Sequence, residues 1–237
     1  MSKFLRPSRV SVAAAALALA TLGNTQCGPA DSDGGPVPVL FVHGFLGEFS
    51  DSFTAMRAWL TDNGWADVEL REMHMGNSMN CIFFSAVDVA RAAERLMSDT
   101  GASRIDIVGH SLGGVVARFY IKYLGGADKI RNYVSIASPQ HGTSVDEINP
   151  FMCVTTELAV GSTFLNTLND GDETPGDGIL YTSIRGVEDY WVQPQESAIL
   201  AGATNVATTM DHVQLLLLEP SFELVKAALE GGGANDD

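Results

Sequence analysis

Ser111 is the residue with the clearest chemical potential, because it stands in the run Gly109-His110-Ser111-Leu112-Gly113. A β-branched run from Ile105 leads into this motif, and a helix-like run leads out of it to Leu124. In a strand–turn–helix of this kind, glycines allow the cramped turn that exposes the serine hydroxyl above the sheet. The hydroxyl is a candidate nucleophile, and the helix N-terminus directs its amides at developing negative charge.

The base for this nucleophile has to be a histidine that an acid orients, since an alcohol attacks poorly at neutral pH. After a serine on such a turn, the acid and the histidine follow along the chain in that order. Four of the five histidines fit this order poorly: His43, His74, His110 and His141. The first two precede the serine, the third stands inside the turn, and no acid-bearing strand precedes the fourth. His212, between the last predicted strand and the last helices, is the predicted base.

The orienting acid is expected on the loop that follows a predicted strand at residues 179–184. Asp189 lies five residues beyond this strand and is the predicted acid. Glu188 is the runner-up. Asp211 is a third possibility, but its carboxylate would have to fold back onto its own neighbour, His212.

Two backbone amides are expected to form an oxyanion hole. Leu112 supplies one as the residue after the nucleophile, and Phe45 supplies the other from the loop after the first strand. His43, at the start of that loop, is interpreted as structural. An apolar substrate pocket is predicted from apolar residues on the loops that flank Ser111: Leu46, Phe49, Phe151, Trp191 and Val213.

The elements that position these residues alternate between strand-like and helix-like patterns. Strands are predicted at 37–43, 67–73, 104–109, 130–137, 179–184 and 205–208, and helices at 52–63, 85–98, 112–124, 155–168, 213–218 and 222–229. Such alternation predicts right-handed βαβ units and one parallel sheet of about six strands flanked by helices, an α/β fold.

The N-terminal segment reads as a secretory signal peptide. Lys3, Arg6 and Arg9 precede an uncharged apolar run at 10–22, which is too short to span a membrane. An amphipathic anchor is a weaker alternative, since the run has no polar face. Cleavage between residues 20 and 30 is expected, and lipoprotein processing at Cys27 is a minority alternative because Gln26 is not small. The predicted order is then a signal peptide at 1–30, a linker at 31–36, one domain at 37–230 and a flexible tail at 231–237.

The charge balance restricts the partners. The 237 residues include 14 basic and 29 acidic side chains, and loss of residues 1–30 would change the net charge from −15 to −18. Nucleic acid is therefore not expected as a partner, and attraction to anionic membranes should be poor. Transient contact with a lipid interface is a further prediction, and a monomer is expected.

Cys81 and Cys153 are the cysteines beyond the leader. Export favours a disulfide between them, and two buried thiols are the alternative. The lack of Cys or His at ligand spacing argues against a metal site there. Residues 170–173 could hold Ca²⁺, but an ordinary turn is the favoured interpretation, so neither metal nor cofactor is predicted.

Taken together, the motifs resemble the small secreted bacterial lipases of the Bacillus type, in the α/β-hydrolase superfamily. The similarity rests on the stretch from Pro38 to Phe45, the serine motif, the strand leading to Asp189, and His212 before a Leu-rich helix. It implies a minimal α/β-hydrolase fold that cleaves acylglycerol esters without a cofactor. It also implies the catalytic and oxyanion-hole roles given above. Residues 138–178 are longer than in the smallest members and open the question of a partial lid.

The expected function is therefore that of a secreted serine carboxylester hydrolase, in the first place a triacylglycerol lipase. A short-chain esterase or a polyester or cutin depolymerase is the enzymatic alternative. A hydrolase fold that only binds its ligand is the non-catalytic alternative, and the complete set of nucleophile, base and acid argues against it.

Overall fold

A single parallel sheet of six strands forms the centre of the computed structural model, which describes residues 36–45, 51–144 and 152–231. The strands are β1 (Val39–Val42), β2 (Leu70–Met73), β3 (Ile105–His110), β4 (Ile130–Ile136), β5 (Leu180–Gly186) and β6 (Thr204–Thr208). Their spatial order is β2-β1-β3-β4-β5-β6, and every neighbouring pair is parallel. The predicted α/β-hydrolase architecture with about six parallel strands is confirmed.

Helices cover both faces of the sheet. They are α1 (Thr54–Asp62), α2 (Ile82–Thr100), α3 (Leu112–Tyr123), α4 (Cys153–Glu157), α5 (Thr163–Asn169), α6 (Gln214–Leu217) and α7 (Glu219–Leu229). Successive strand residues point to opposite faces, so Leu40 and Val42 pack in one core with α2 and α3. Val39 and Phe41 pack in a second core with α1 and α7. Burial on both faces explains why β1 reads as a continuous apolar run.

Three helices differ clearly from the sequence prediction. α7 begins at Glu219, three residues before the predicted start, with Pro220 in its first turn, where a missing N–H is tolerated. The other two differences concern α2 and the helix predicted at 155–168. α2 begins at Ile82, three residues before the predicted start, because the Glu157 carboxylate accepts the Ile82 N–H at 2.6 Å. The helix predicted at 155–168 is instead two short helices, since Gly161 has a φ of 75° and Ser162 then caps α5 by accepting the Leu165 N–H. Both differences involve the segment between β4 and β5.

A disulfide between Cys81 and Cys153 joins the residue before α2 to the first residue of α4. The predicted pairing is confirmed. The bridge closes a loop of 72 residues, and the chain-entropy treatment assigns about 4 kcal/mol of stabilisation to a closure of that length. It therefore fixes the long segment after β4 to the layer that contains α2 and α3.

Lys122 organises the acidic turn that follows α5. Its ammonium group donates to the carbonyl oxygens of Leu168 at 2.9 Å, Asp170 at 2.7 Å and Asp172 at 2.9 Å. The oxygens of Asp170 and Asp172 belong to the turn whose acidic composition suggested a calcium loop, and that of Leu168 belongs to the end of α5. In the structure, a side chain of α3 supplies the positive charge that this cluster of carbonyls attracts.

The predicted signal peptide at 1–30, residues 31–35 of the predicted linker at 31–36, and the tail beyond Gly231 lie outside the described residues. Cys27 is among them. Across the part of the chain that the structure does describe, no helix has the length and apolarity that a membrane span requires.

Candidate active site

Ser111 occupies the sharp turn between β3 and α3. Its φ is 54° and its ψ is −125°, in a region that residues with a side chain rarely adopt and that costs about 1–3 kcal/mol. Such a turn holds the side chain at the carboxyl edge of the sheet. This backbone geometry is the one that the Gly-x-Ser-x-Gly motif predicts.

Three glycines make the turn possible by leaving room for backbone. A Cβ on Gly109 would lie 2.6 Å from the backbone N of Gly114, and a Cβ on Gly113 would lie 2.1 Å from the carbonyl oxygen of Val42. A Cβ on Gly114 would lie 2.1 Å from Ser138 Oγ. The packing of α3 against β1, β3 and the end of β4 therefore requires glycine at each position.

His212 and Asp189, the predicted base and acid, are hydrogen-bonded to each other. His212 Nδ1 lies 2.7 Å from Asp189 Oδ2, and both side chains are almost completely buried. Since a carboxylate only accepts, the proton must sit on Nδ1, and this leaves Nε2 with its lone pair free. An imidazole held in this tautomer can remove a proton from a hydroxyl.

The second oxygen of Asp189 faces the loop that follows it. Asp189 Oδ1 accepts the backbone N–H groups of Trp191 at 2.7 Å and Val192 at 3.0 Å. This is an Asx turn, in which a carboxylate bonds to amides two and three residues further on. The sequence prediction missed these two amides, although an aspartate at the start of a loop is the usual signal for them.

His110 links the serine turn to the loop that carries the base. Its Nε2 lies 3.1 Å from the carbonyl oxygen of His212, and the two rings are 4.6 Å apart between centroids. Because a carbonyl only accepts, His110 donates from Nε2. Burial lowers the pKa of His110 well below its usual value, and the neighbouring His212 imidazole lowers the pKa further. His110 therefore remains neutral and holds the base loop against the turn.

The depressed pKa of His110 predicts a specific loss of stability in acid. The unfolded chain binds a proton at His110 below about pH 6.5 and the native protein does not. The free energy of unfolding therefore decreases as the pH is lowered below about 6.5. The slope from this residue is at most about 1.4 kcal/mol per pH unit. In His110→Gln this slope should disappear, which urea unfolding between pH 7 and 5 would measure.

The control for that experiment is His74→Gln. His74 is half exposed, and its nearest carboxylate, Asp51, lies 3.7 Å away. This variant measures the effect of removing an exposed histidine, and the pH slope of His110→Gln is compared with it. Equal pH slopes for the wild type and His110→Gln would contradict the assignment of the acid sensitivity to His110.

The loop after β1 approaches the serine turn closely. A Cβ on Gly44 would lie 3.0 Å from the Cβ of Ser111. His43 is fully buried, with Nδ1 donating to Gly44 O at 2.8 Å and Nε2 accepting from Met75 N at 3.0 Å, so it shapes this loop as a neutral ring. Phe45 follows directly. Leu112, as the first residue of α3, has an N–H without an acceptor four residues earlier in the helix.

The remaining candidates for acid and base are engaged elsewhere. His141 contacts Glu173 Oε1 at 2.9 Å and Ser197 O at 3.2 Å. Asp211 Oδ1 accepts the N–H groups of Val213 and Gln214, as a cap for the turn before α6. Glu188 is exposed. Of these carboxylates, Asp189 is the one that bonds to His212.

Two of the predicted substrate contacts are exposed beside the base. The Trp191 ring is 6.5 Å from the His212 ring and 48% exposed, and Val213 is 51% exposed immediately after His212. Tyr190, at 63%, adds an exposed ring that the sequence prediction missed. The other predicted contacts, Leu46, Phe49 and Phe151, lie outside the described residues.

Comparison with known families finds one match that covers most of the chain. A sequence profile described as palmitoyl protein thioesterase matches residues 38–197. The matched stretch includes the serine turn and the predicted acid, and it ends before His212.

Several solved structures with a similar fold are described as lipases or esterases. Aspergillus fumigatus lipase B has a TM-score of 0.70 at 20% identity, over 88% of this chain and 57% of that protein. Bacillus licheniformis lipase BlEst2 in its mature form has a TM-score of 0.68 at 15% identity, over 85% of this chain and 95% of that protein. The metagenomic carboxyl esterase MGS0156 has a TM-score of 0.61 at 16% identity, over 84% of this chain and 72% of that protein. The chain thus spans little more than half the length of the Aspergillus enzyme, and these likenesses establish the fold.

Proposed function

Because the chain belongs to the palmitoyl protein thioesterase family, we propose that it is a serine hydrolase of carboxylic esters that uses Ser111, His212 and Asp189. The observation that carries the proposal is the buried hydrogen bond between His212 and Asp189 at 2.7 Å, on a loop that His110 joins to the serine turn. An imidazole so oriented, on a loop joined to a serine turn with strained backbone, fits the chemistry of acyl transfer.

In the proposed reaction, Ser111 Oγ attacks the ester carbonyl carbon while its proton passes to His212 Nε2. The carbonyl oxygen becomes an oxyanion that accepts hydrogen bonds from the Phe45 and Leu112 amides. The C–O bond to the alcohol then breaks, and His212 returns the proton to the departing oxygen. Water, deprotonated by His212, attacks the acyl-enzyme and releases the acid, which restores the serine hydroxyl. Asp189 stabilises the imidazolium in both steps.

A lipid ester is the substrate class that the surroundings of the base favour. Tyr190, Trp191 and Val213 leave apolar surface exposed next to His212, in a protein with a net charge of −15. Exposed apolar surface of this kind marks a site for an apolar ligand. We therefore propose a triacylglycerol lipase, and keep a short-chain esterase or polyester depolymerase as the alternative. The narrower likeness to Bacillus-type lipases stays a prediction.

Thioester cleavage is a second candidate, and the family match favours it specifically. The acyl-transfer steps are the same for a palmitoyl thioester, with a thiol in place of the alcohol as leaving group. A hydrolase fold that only binds its ligand is disfavoured. A protein that only bound its ligand would not need the buried Asp189–His212 hydrogen bond, which orients the imidazole as a base.

Export is part of the proposal. The disulfide is consistent with an extracellular protein, since such bridges persist in oxidising compartments. We propose that the leader at 1–30 directs export and that the domain at 37–230 acts as a monomer after cleavage.

The proposal is tested by covalent labelling together with a substrate series. A fluorophosphonate should label the protein once, at Ser111, and peptide mass mapping would locate the label. The protein should hydrolyse p-nitrophenyl esters from acetate to palmitate and a triacylglycerol emulsion, with palmitoyl thioester and polyester film measured alongside. The relative kcat/KM values identify the substrate class. Absence of both labelling and turnover would overturn the proposal.

A further inference from the structure

The orientation of Asp189 depends on the backbone amides that donate to its Oδ1 atom. Asp189 Oδ1 accepts from Val192 N at 3.0 Å. That N–H belongs to the same planar peptide unit as the carbonyl of Trp191. Whatever fixes the Trp191 carbonyl therefore fixes the direction of the Val192 N–H as well.

Thr143, which lies 46 positions before Asp189 in the sequence, binds the carbonyl of Trp191. Its hydroxyl donates to Trp191 O at 2.8 Å and accepts the N–H of Gln193 at 3.1 Å. The hydroxyl has a single proton, and the bond from Gln193 occupies its lone-pair side, so the proton must point at Trp191 O. The Thr143 hydroxyl and the Asp189 carboxylate thus hold the two ends of one peptide plane.

The segment that carries Thr143 is itself held on both sides. The Thr143 N–H donates to Leu158 O at 2.9 Å, just beyond the helix that the disulfide anchors. Ser144 N donates to Gln193 O at 2.9 Å, and Ser197 Oγ donates to Gly142 O. These hydrogen bonds fix the backbone of residues 142–144, and the Thr143 hydroxyl is therefore held against the carbonyl of Trp191.

We propose that Thr143 is a positioning residue for the catalytic acid. Its hydroxyl aligns and polarises the Trp191–Val192 peptide, which strengthens the N–H bond to Asp189 and keeps Oδ2 directed at His212. Hydrogen bonds in such a chain reinforce each other. The inference rests on the proposed function, because it deepens the role of Asp189 in that site.

A purely structural role for Thr143 would have different experimental consequences. If Thr143 only stabilised the fold, its loss would lower the free energy of unfolding and leave turnover per folded molecule unchanged. If it acts through Asp189, turnover falls in the folded protein, and the fall depends on the carboxylate being present.

The experiment compares Thr143→Val, which has the same shape without the hydroxyl, with Thr143→Ser, which keeps the hydroxyl. For p-nitrophenyl butyrate, kcat should fall about tenfold in the valine variant with KM unchanged, which lies within the range for the loss of one neutral hydrogen bond. The serine variant should stay within about twofold of the wild type. Thr167→Val is the matched control, since the Thr167 hydroxyl donates to Thr163 O within its own helix.

A double-mutant cycle and one spectroscopic measurement complete the test. In an Asp189→Asn background, Thr143→Val should change kcat by less than about twofold, because the group it acts through is gone. Independently of turnover, the downfield NMR signal of the His212 Nδ1 proton should persist in the serine variant and shift or broaden in the valine variant.

Three results would overturn the inference: wild-type kcat in Thr143→Val, the same loss of kcat in the Asp189→Asn background, or an unaltered Nδ1 proton signal in the valine variant. Failure of the proposed function is distinguishable from these. In that case the wild type itself would neither react with a fluorophosphonate nor hydrolyse an ester, while the NMR comparison would still decide the role of Thr143.

Discussion

Ser111→Ala is expected to lower kcat for ester hydrolysis by about 10⁵- to 10⁶-fold, the scale of loss when a serine hydrolase lacks its nucleophile. The Ser111 hydroxyl is the only group of the protein that forms a covalent bond to the substrate in the proposed mechanism. The oxyanion hole and the binding surface would remain, so a small residual rate above that of water is expected. Steady-state kinetics on p-nitrophenyl butyrate, with fluorophosphonate labelling of the same preparation, would measure the loss.

The fold of Ser111→Ala should be unchanged. Alanine at a φ of 54° carries the same backbone strain as serine, so the free energy of unfolding should stay within about 0.5 kcal/mol of the wild type. Ser98→Ala, an exposed change on α2, is the matched control for handling and for serine removal as such. Turnover by Ser111→Ala near the wild-type rate would exclude Ser111 as the nucleophile.

Gly113→Ala is expected to have the largest effect on stability and to prevent folding. A Cβ at this position would lie 2.1 Å from the carbonyl oxygen of Val42 and 2.5 Å from that of His43. Both atoms belong to backbone, in β1 and the residue after it, so no side-chain rotation can relieve the overlap. Separation of α3 from the sheet would cost more than about 4 kcal/mol, which is a large part of the stability of a domain.

The control for this experiment is Gly76→Ala. A Cβ on Gly76 would meet nothing nearer than Asp88 Oδ2 at 3.6 Å, and the change should alter stability by less than about 1 kcal/mol. Soluble yield and thermal unfolding would compare the two variants. A soluble Gly113→Ala protein with the wild-type melting temperature would contradict the close packing of α3 on β1.

The central part of the fold was predictable because its signals are local. Buried parallel strands read as apolar runs, and β1 appears in the sequence in that way. The end of α2 was also readable, since the helix was predicted to end at 98 and ends at Thr100, before Gly101 with a φ of 73°. The same holds for Ser111, whose motif predicts the strained turn that the structure contains.

The parts that were not predictable depend on residues distant in sequence. The start of α2 is set by Glu157, 75 residues away, whose carboxylate takes the place of a local cap. The contact between His110 and the backbone of His212 spans 102 residues, and that from Thr143 to Trp191 spans 48. No local pattern encodes these contacts, because neither partner needs a special residue type beyond one polar group. The split between α4 and α5 is different, since Gly161-Ser162 is a local stop and cap that a closer reading of the sequence would reveal.

The bridge between Cys81 and Cys153 also bears on how the protein can be made. Leu158, whose carbonyl holds the Thr143 segment, follows α4, the helix that begins at the bridged Cys153. A host cytosol that keeps thiols reduced would therefore yield a protein in which α4 is not covalently linked to α2. The loop that carries Asp189 would then lack this indirect constraint. Expression into a periplasm, or refolding with a glutathione couple, supplies the covalent link that the loop relies on.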